Sequence, residues 1–118
     1  MQYLLLIYSE ENALDQCERE VCYKESMGVA ADLRAKGQFV AAAPLHPVST
    51  ATSVQLRDGR KLITDGPFAE TKEQLGGFFM VEAANLDEAV AIAGRIRAAR
   101  WGTVEVRPVV DLSHIANI

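Results

Sequence analysis

The sequence predicts an α+β fold, a ferredoxin-like βαβ-hairpin-βαβ sandwich with one antiparallel sheet and both helices on the same face. Three observations predict it. Residues 2–8 and 77–82 are apolar at both alternating sets of positions, so each is a strand buried on both faces and central in its sheet. Two helical patterns, one ending at Gly37 and one opening at Asn85, each stand between strand-like runs. Asp58-Gly59 lies between two further runs, a strong hairpin signal. Two βαβ halves with right-handed crossovers, joined by that hairpin, give a split antiparallel sheet.

The first strand presents Tyr3/Leu5/Ile7 on one face and Leu4/Leu6/Tyr8 on the other. Residues 10–36 are polar and helical in character, with Cys22/Ser26/Val29/Ala30/Leu33 as the stripe and an irregular start over residues 11–19. Gly37 ends the helix at the position where glycine is favoured. Residues 38–43 form a strand that Pro44 and Pro47 terminate, since proline donates nothing to a ladder. Residues 51–57 and 60–64 flank the Asp58-Gly59 turn. The strand at 77–82 follows a long loop and carries Phe78/Met80 and Phe79/Val81 on its two faces. Asn85 is an N-cap with Glu88 at the capping-box position, and Leu86/Ala89/Val90/Ala93 form the expected buried stripe of the second helix. Residues 103–109 alternate, Val104/Val106 against Thr103/Glu105/Arg107.

The 118 residues fit one domain spanning the whole chain, and 49% hydrophobic content is enough for one core. A net charge of −4 argues against nucleic acid as a partner. Arg95, Arg97 and Arg100 cluster where the second helix should end, where cations complement the helix dipole and cap carbonyls. Cys17 and Cys22 lie five residues apart on a predicted helix, point in different directions and fit neither a redox motif nor a zinc knuckle. Free thiols favour a reducing cytoplasm. The apolar N-terminal run lacks the basic flank and cleavage site of a signal peptide, and no apolar run reaches membrane-spanning length. Two distant histidines do not make a metal site, and Gly76-Gly77 is neither a dinucleotide nor a phosphate loop, so no metal and no cofactor is expected.

The densest motif is the loop at 65–77. Asp65 initiates a turn, Gly66 takes dihedrals that other residues avoid, and Pro67 fixes the next bend. Phe68 is expected to plug into the body of the protein. Glu70, Lys72 and Glu73 follow, and Gly76-Gly77 allows close approach to a backbone or a ligand. The loop is either a pocket wall supplying carboxylates and an ammonium or a connection locked by charge pairs, some across a subunit interface. His46, at a strand exit, is a candidate general base, against the plainer reading of an exposed loop histidine. With both helices on one face, the other sheet face is apolar and uncovered, which points to a face-to-face homodimer. Glu105 and Arg107 would then point between the sheets, where burial demands pairing or a ligand.

The run from Asp65 through Phe68, Glu70 and Lys72 to Phe78, with Leu86-Asp87-Glu88-Ala89 and Val104-Glu105-Val106-Arg107-Pro108, resembles the DGPF-type, YCII-related proteins over nearly the whole chain. That resemblance implies a dimeric α/β-barrel fold. Many such proteins are small, bacterial and of unknown function, and some resemble stand-alone partners of extracytoplasmic-function sigma factors. The wider group includes cofactor-independent enzymes built on a His–Asp pair, a dehydrochlorinase among them. The histidine of that pair lies about three turns before the glycine that ends the first helix, which here reaches Ser26. The matching aspartate would fall in residues 95–100, which contain no acid.

Three readings follow. The chain binds a small organic molecule in a dimer cavity, as a regulatory or sigma-factor-associated module, with Asp65, Phe68, Glu70, Lys72, Glu73 and Arg107 as the ligand-binding set. Alternatively it is a cofactor-independent lyase or isomerase for a cyclic or aromatic substrate. Asp65 or Glu70 would be its base, Lys72 or Arg107 the electrostatic stabiliser and His46 a shuttle. The third is a structural dimer with no ligand.

Overall fold

The computed structural model describes residues 1–115, except the side chains of Gln16 and Cys17. Its elements are β1 (Gln2–Ser9), α1 (Gln16–Ala35), β2 (Phe39–Pro44), β3 (Thr52–Arg57), β4 (Arg60–Asp65), β5 (Gln74–Glu82), α2 (Leu86–Gly94) and β6 (Thr103–Pro108). Short 3-10 turns occupy Glu11–Ala13, Val48–Thr50 and Arg97–Arg100. Four strands form an antiparallel sheet in the order β2-β5-β1-β6, and β3-β4 form a separate ribbon. The two strands apolar on both faces, β1 and β5, are the central pair, as their composition requires. The ferredoxin-like expectation holds.

Alternation divides the sheet into two faces. Tyr3 and Leu5 of β1 with Phe79 and Val81 of β5 meet Val29, Ala30 and Leu33 of α1 and Ala89, Ile92 and Ala93 of α2. Directly opposed residues share a face. On the other face Leu4 lies between Met80 and Arg107, and Leu6 between Phe78 and Glu105. Neither helix contributes to this second face, and Leu4, Leu6, Phe78 and Met80 remain half-buried.

The polar segment after β1 resolves into the Glu11–Ala13 turn and a helix that starts at Gln16, later than residue 10. Asp15 sets that start, because its Oδ1 accepts the Glu18 backbone N–H at 2.8 Å. At the other end Gly37, with φ +72°, donates to Arg34 O while Gln38 donates to Leu33 O, the paired bonds of a Schellman cap. Asn85 caps α2 through Glu88 N at 2.9 Å. Glu88 reaches back to Ala84 N and to Gln38 Nε2 rather than to Asn85.

The stripe expected on α2 needs correction: Leu86 and Val90 are each 52% exposed. The buried set is Ala89, Ile92, Ala93 and Ile96. It keeps helical spacing while rolling the short helix so that its buried line continues into the turn beyond Gly94.

Arg95 and Arg97 also act differently from expectation. They reach across to α1, Arg95 Nη2 lying 2.8 Å from Asp32 Oδ2 and Arg97 Nη1 2.6 Å from Glu25 Oε1. The hydrogen bond from Arg95, then that from Lys36, holds the Asp32 carboxyl below its ordinary value of 3.8. A lowered carboxylate value means stability that is complete above the unfolded value and lost as pH falls through the folded one. Asp32→Asn is therefore expected to flatten the fall of Tm below about pH 4. Thermal melts of both chains from pH 7 to pH 2 test this, and superimposable acid limbs would refute it.

Candidate functional site

The loop after β4 is shorter than expected, because Gln74, Leu75, Gly76 and Gly77 already belong to β5. The register between β1 and β5 shifts after Ile7↔Gly77 to Tyr8↔Leu75, leaving Gly76 as the extra residue of a bulge. The close approach expected of the glycine pair belongs to Gly77. A Cβ there would stand 2.9 Å from Ala43 O and 3.3 Å from Pro44 Cα, which seats β2 against β5.

The first half of the loop closes the base of the β3-β4 ribbon. Asp65 pairs with Thr52, Gly66 at φ +105° donates to Ala51 O at 2.7 Å, and Ser53 Oγ donates to Gly66 O at 2.8 Å. Phe68 is not plugged into the body, as the sequence suggested, but 81% exposed. The rigid corner at Gly66-Pro67 turns its ring outward. Glu70 is exposed, and among the described residues no hydrogen bond or ion pair reaches its side chain.

The second half folds onto the end of the sheet. Gln74 Nε2 donates to Thr71 O at 2.7 Å, while Gln74 Oε1 accepts from Glu11 N at 3.0 Å. Glu11 Oε1 in turn accepts from Val48 N at 2.8 Å. Two side chains thus clasp three connections: the β1-α1 turn, the segment carrying His46, and the loop.

Lys72 and Glu73 line an open cleft of about 470 Å³ with Glu10, Ala13 and Trp101. Lys72 Nζ lies 4.0 Å from Glu10 Oε1, and Thr103 Oγ1 donates to Glu73 Oε1 at 2.9 Å. Trp101 contributes an aromatic wall, and the Arg97 guanidinium lies 5.7 Å from its ring centre. Its Nε1 is buried and has no partner among the described residues. The cleft therefore offers an ammonium, two carboxylates and an indole in one place.

Thr103 pairs with Tyr8 at the end of the uncovered sheet face, so the cleft and that face share an edge. Along the same face come Glu105 and then Arg107, whose Nε lies 3.9 Å from Glu105 Oε2. Lys72 and Glu73 are brought together. Arg107 stands on the adjoining face, while Asp65, Phe68 and Glu70 lie outside the cleft. His46 is exposed on the connection that Glu11 tethers. A second, larger cleft of about 750 Å³ lies between Met1, Glu82 and the Pro108–Leu112 segment and contains none of the expected site residues.

Ser26 is half-buried on α1, beside the Glu25–Arg97 pair. The segment 95–100, which contains no acid, presents Arg95 and Arg97 engaged to α1. Burial pushes the nearby Cys22 thiol up, with Arg97 opposing part of that rise, so the free thiol stays protonated at neutral pH. The expected failure of Cys17 and Cys22 to pair lies outside the described residues.

Glu10, Glu11, Gln74, Trp101 and Thr103 were not legible as site residues. Trp101 alone carried a signal, as the single tryptophan, next to a glycine. Among the described residues no helix is long and apolar enough to cross a membrane.

The family model described as the YCII-related domain matches residues 1–113 of this chain. An uncharacterized protein of Rhizobium meliloti (strain 1021) is 38% identical over 117 residues, covering 92% of this chain and 91% of the relative.

Proposed function

This chain belongs to the family of YCII-related domains, and on that premise we propose that it binds a small organic molecule without transforming it, in the space enclosed when two copies pair across their uncovered sheet faces. The observation that carries this reading is the placement of Glu105 and Arg107 in line with Leu4, Leu6, Phe78 and Met80. A second copy would desolvate those charges together with the apolar rows. Charges so buried need partners, and their mutual contact is long and leaves most of the guanidinium donors free. The Lys72–Glu73 cleft supplies the polar end of the same space, joined to it through Thr103. Ser26 and an acid-free segment at 95–100, in place of a His–Asp pair, favour holding a ligand over reacting with it.

Because Trp101 is the single tryptophan, its fluorescence reports on the cleft directly. A panel of cyclic and aromatic carboxylates and amines is expected to contain at least one compound that shifts Trp101 emission. At a hundred-fold excess over its Kd it should stabilise the fold by about 2.7 kcal/mol. Mass spectrometry should recover that compound unchanged. Lys72→Ala and Arg107→Ala should each weaken the binding about ten-fold, the loss of one hydrogen bond to a charged group. No emission change and no thermal shift across the panel would refute the reading. Conversion that Asp65→Asn or Glu70→Gln abolishes would establish the enzymatic alternative instead. As a regulatory module the chain would present its ligand state to a protein such as a sigma factor, and failure of a purified cognate sigma factor to co-elute would remove that part.

A further inference from the structure

The β3-β4 ribbon is an arm that leaves the body. Its strands pack on each other and hardly on any other described element, and none of its residues joins the core. The turn is formed as its residues dictate, Asp58 at φ 53° and Gly59 at φ 75°. The described chain consequently has a radius of gyration of 16.3 Å, where a compact chain of this length has about 13–14 Å. A two-stranded ribbon alone is marginally stable in water, so such an arm needs a surface to lie on.

Register gives the arm an apolar face. Val54 opposes Ile63, and Leu56 opposes Lys61, so Val54, Leu56 and Ile63 stand together. Leu56 is 66% exposed and Ile63 63% exposed. The tip has the opposite character to the rest of the molecule. Residues 57–61 hold Arg57, Arg60 and Lys61 against Asp58, net +2, on a chain of net −4, so the remainder carries −6.

We propose that the arm clasps a second copy of this chain, its Val54/Leu56/Ile63 face lying at the margin of the other copy's uncovered sheet face and its cationic tip meeting the other copy's acidic body. The proposal rests on the pairing of sheet faces in the reading above, though not on the ligand. Size supports a second copy as the occupant. Four strands of 6 to 9 residues offer a sheet footprint of ~500 Å², short of the ~800 Å² per partner of a standard interface. Two exchanged arms extend the contact toward that size. The charge difference is self-complementary: identical copies each bring a basic tip and an acidic body, as a two-fold contact requires.

An equal mixture of ordinary and ¹⁵N-labelled full-length chains, with a photo-crosslinking residue at Leu56, tests this. The arm peptide should join a peptide of opposite isotope composition that carries β1, β5 or β6. By sedimentation, Ile63→Asp should weaken self-association about a thousand-fold, because the loss occurs at two symmetric places. Its far-ultraviolet circular dichroism should keep the signal of the helices and the four-stranded sheet, since the arm lies outside the core. Lys61→Glu, which removes no apolar contact, should weaken association at least ten-fold at low salt and less at high salt. A parent chain that is monomeric overturns both this proposal and the paired-sheet reading. A dimer untouched by either variant, or crosslinks confined to one copy, overturns the arm alone and leaves the Trp101 binding test to judge the ligand.

Discussion

Leu5→Ala is expected to destabilise the fold by about 3–4 kcal/mol, the range for truncating a fully buried leucine where the surroundings collapse only in part. Leu5 is 0% exposed and pairs with Phe79 on one side and Val106 on the other. It therefore sits in β1, one of the two central strands, within the core cluster that takes residues from both helices. Every neighbour is held by a ladder or a helix, so the void has little means of closing. For a domain with total stability of 5–15 kcal/mol, this loss should lower Tm by about 15 °C. Leu86→Ala, at a position the sequence also marked as core, should cost under about 1 kcal/mol because its side chain is half in water. Chemical denaturation of the two variants separates them. Equal losses would mean that the helix-sheet core is not where these contacts place it.

Gly102→Ala should cost about 3 kcal/mol by overpacking. A Cβ at Gly102 would collide with the Tyr8 carbonyl oxygen and stand 3.0 Å from Ser9 Cβ and 3.2 Å from Ala98 O. Two of these three neighbours are backbone atoms, so no rotamer change relieves the clash. The Tyr8 oxygen belongs to β1, and Gly102 N donates to Ala98 O at 2.8 Å, so the residue is held from both sides. The requirement is for space rather than for an unusual dihedral, and serine should be no better than alanine. Gly28→Ala is the matching control. Gly28 lies in α1 with nothing within 4 Å of a built Cβ, and the change should stabilise by about 0.5–1 kcal/mol. If both substitutions stabilised, the close passage of the chain beside β1 would be refuted. Since Trp101 adjoins Gly102, the Gly102 variant should also shift Trp101 emission in the folded state.

The fold was legible because its signals are periodic. Two strands apolar on both faces could only be central, and Asp58-Gly59 could only be a turn. Boundaries and sides were less legible. Val90 fits a helical stripe as well as Ile92 does, and only the continuation of the chain to Ile96 decides which line rolls inward. Of the candidate site residues, the structure brings Lys72 and Glu73 together and sets Arg107 on the adjoining sheet face, but Phe68 points outward. A lone phenylalanine beside a proline says nothing about the direction in which the corner opens.

By itself the sequence determined what depends on local or alternating pattern: the order of elements, the caps at Gly37 and Asn85, the central strands, and an uncovered sheet face carrying Glu105 and Arg107. Tertiary structure decided what depends on residues distant along the chain. It placed Trp101 and Glu10 beside Lys72 and Glu73, made Glu11 and Gln74 a clasp, and turned Arg95 and Arg97 toward α1 rather than toward the end of their own helix. It also left the β3-β4 ribbon without a surface in its own chain. Periodicity records which face of an element avoids water, whereas pairings between side chains dozens of residues apart exist only once the sheet has brought its strands together.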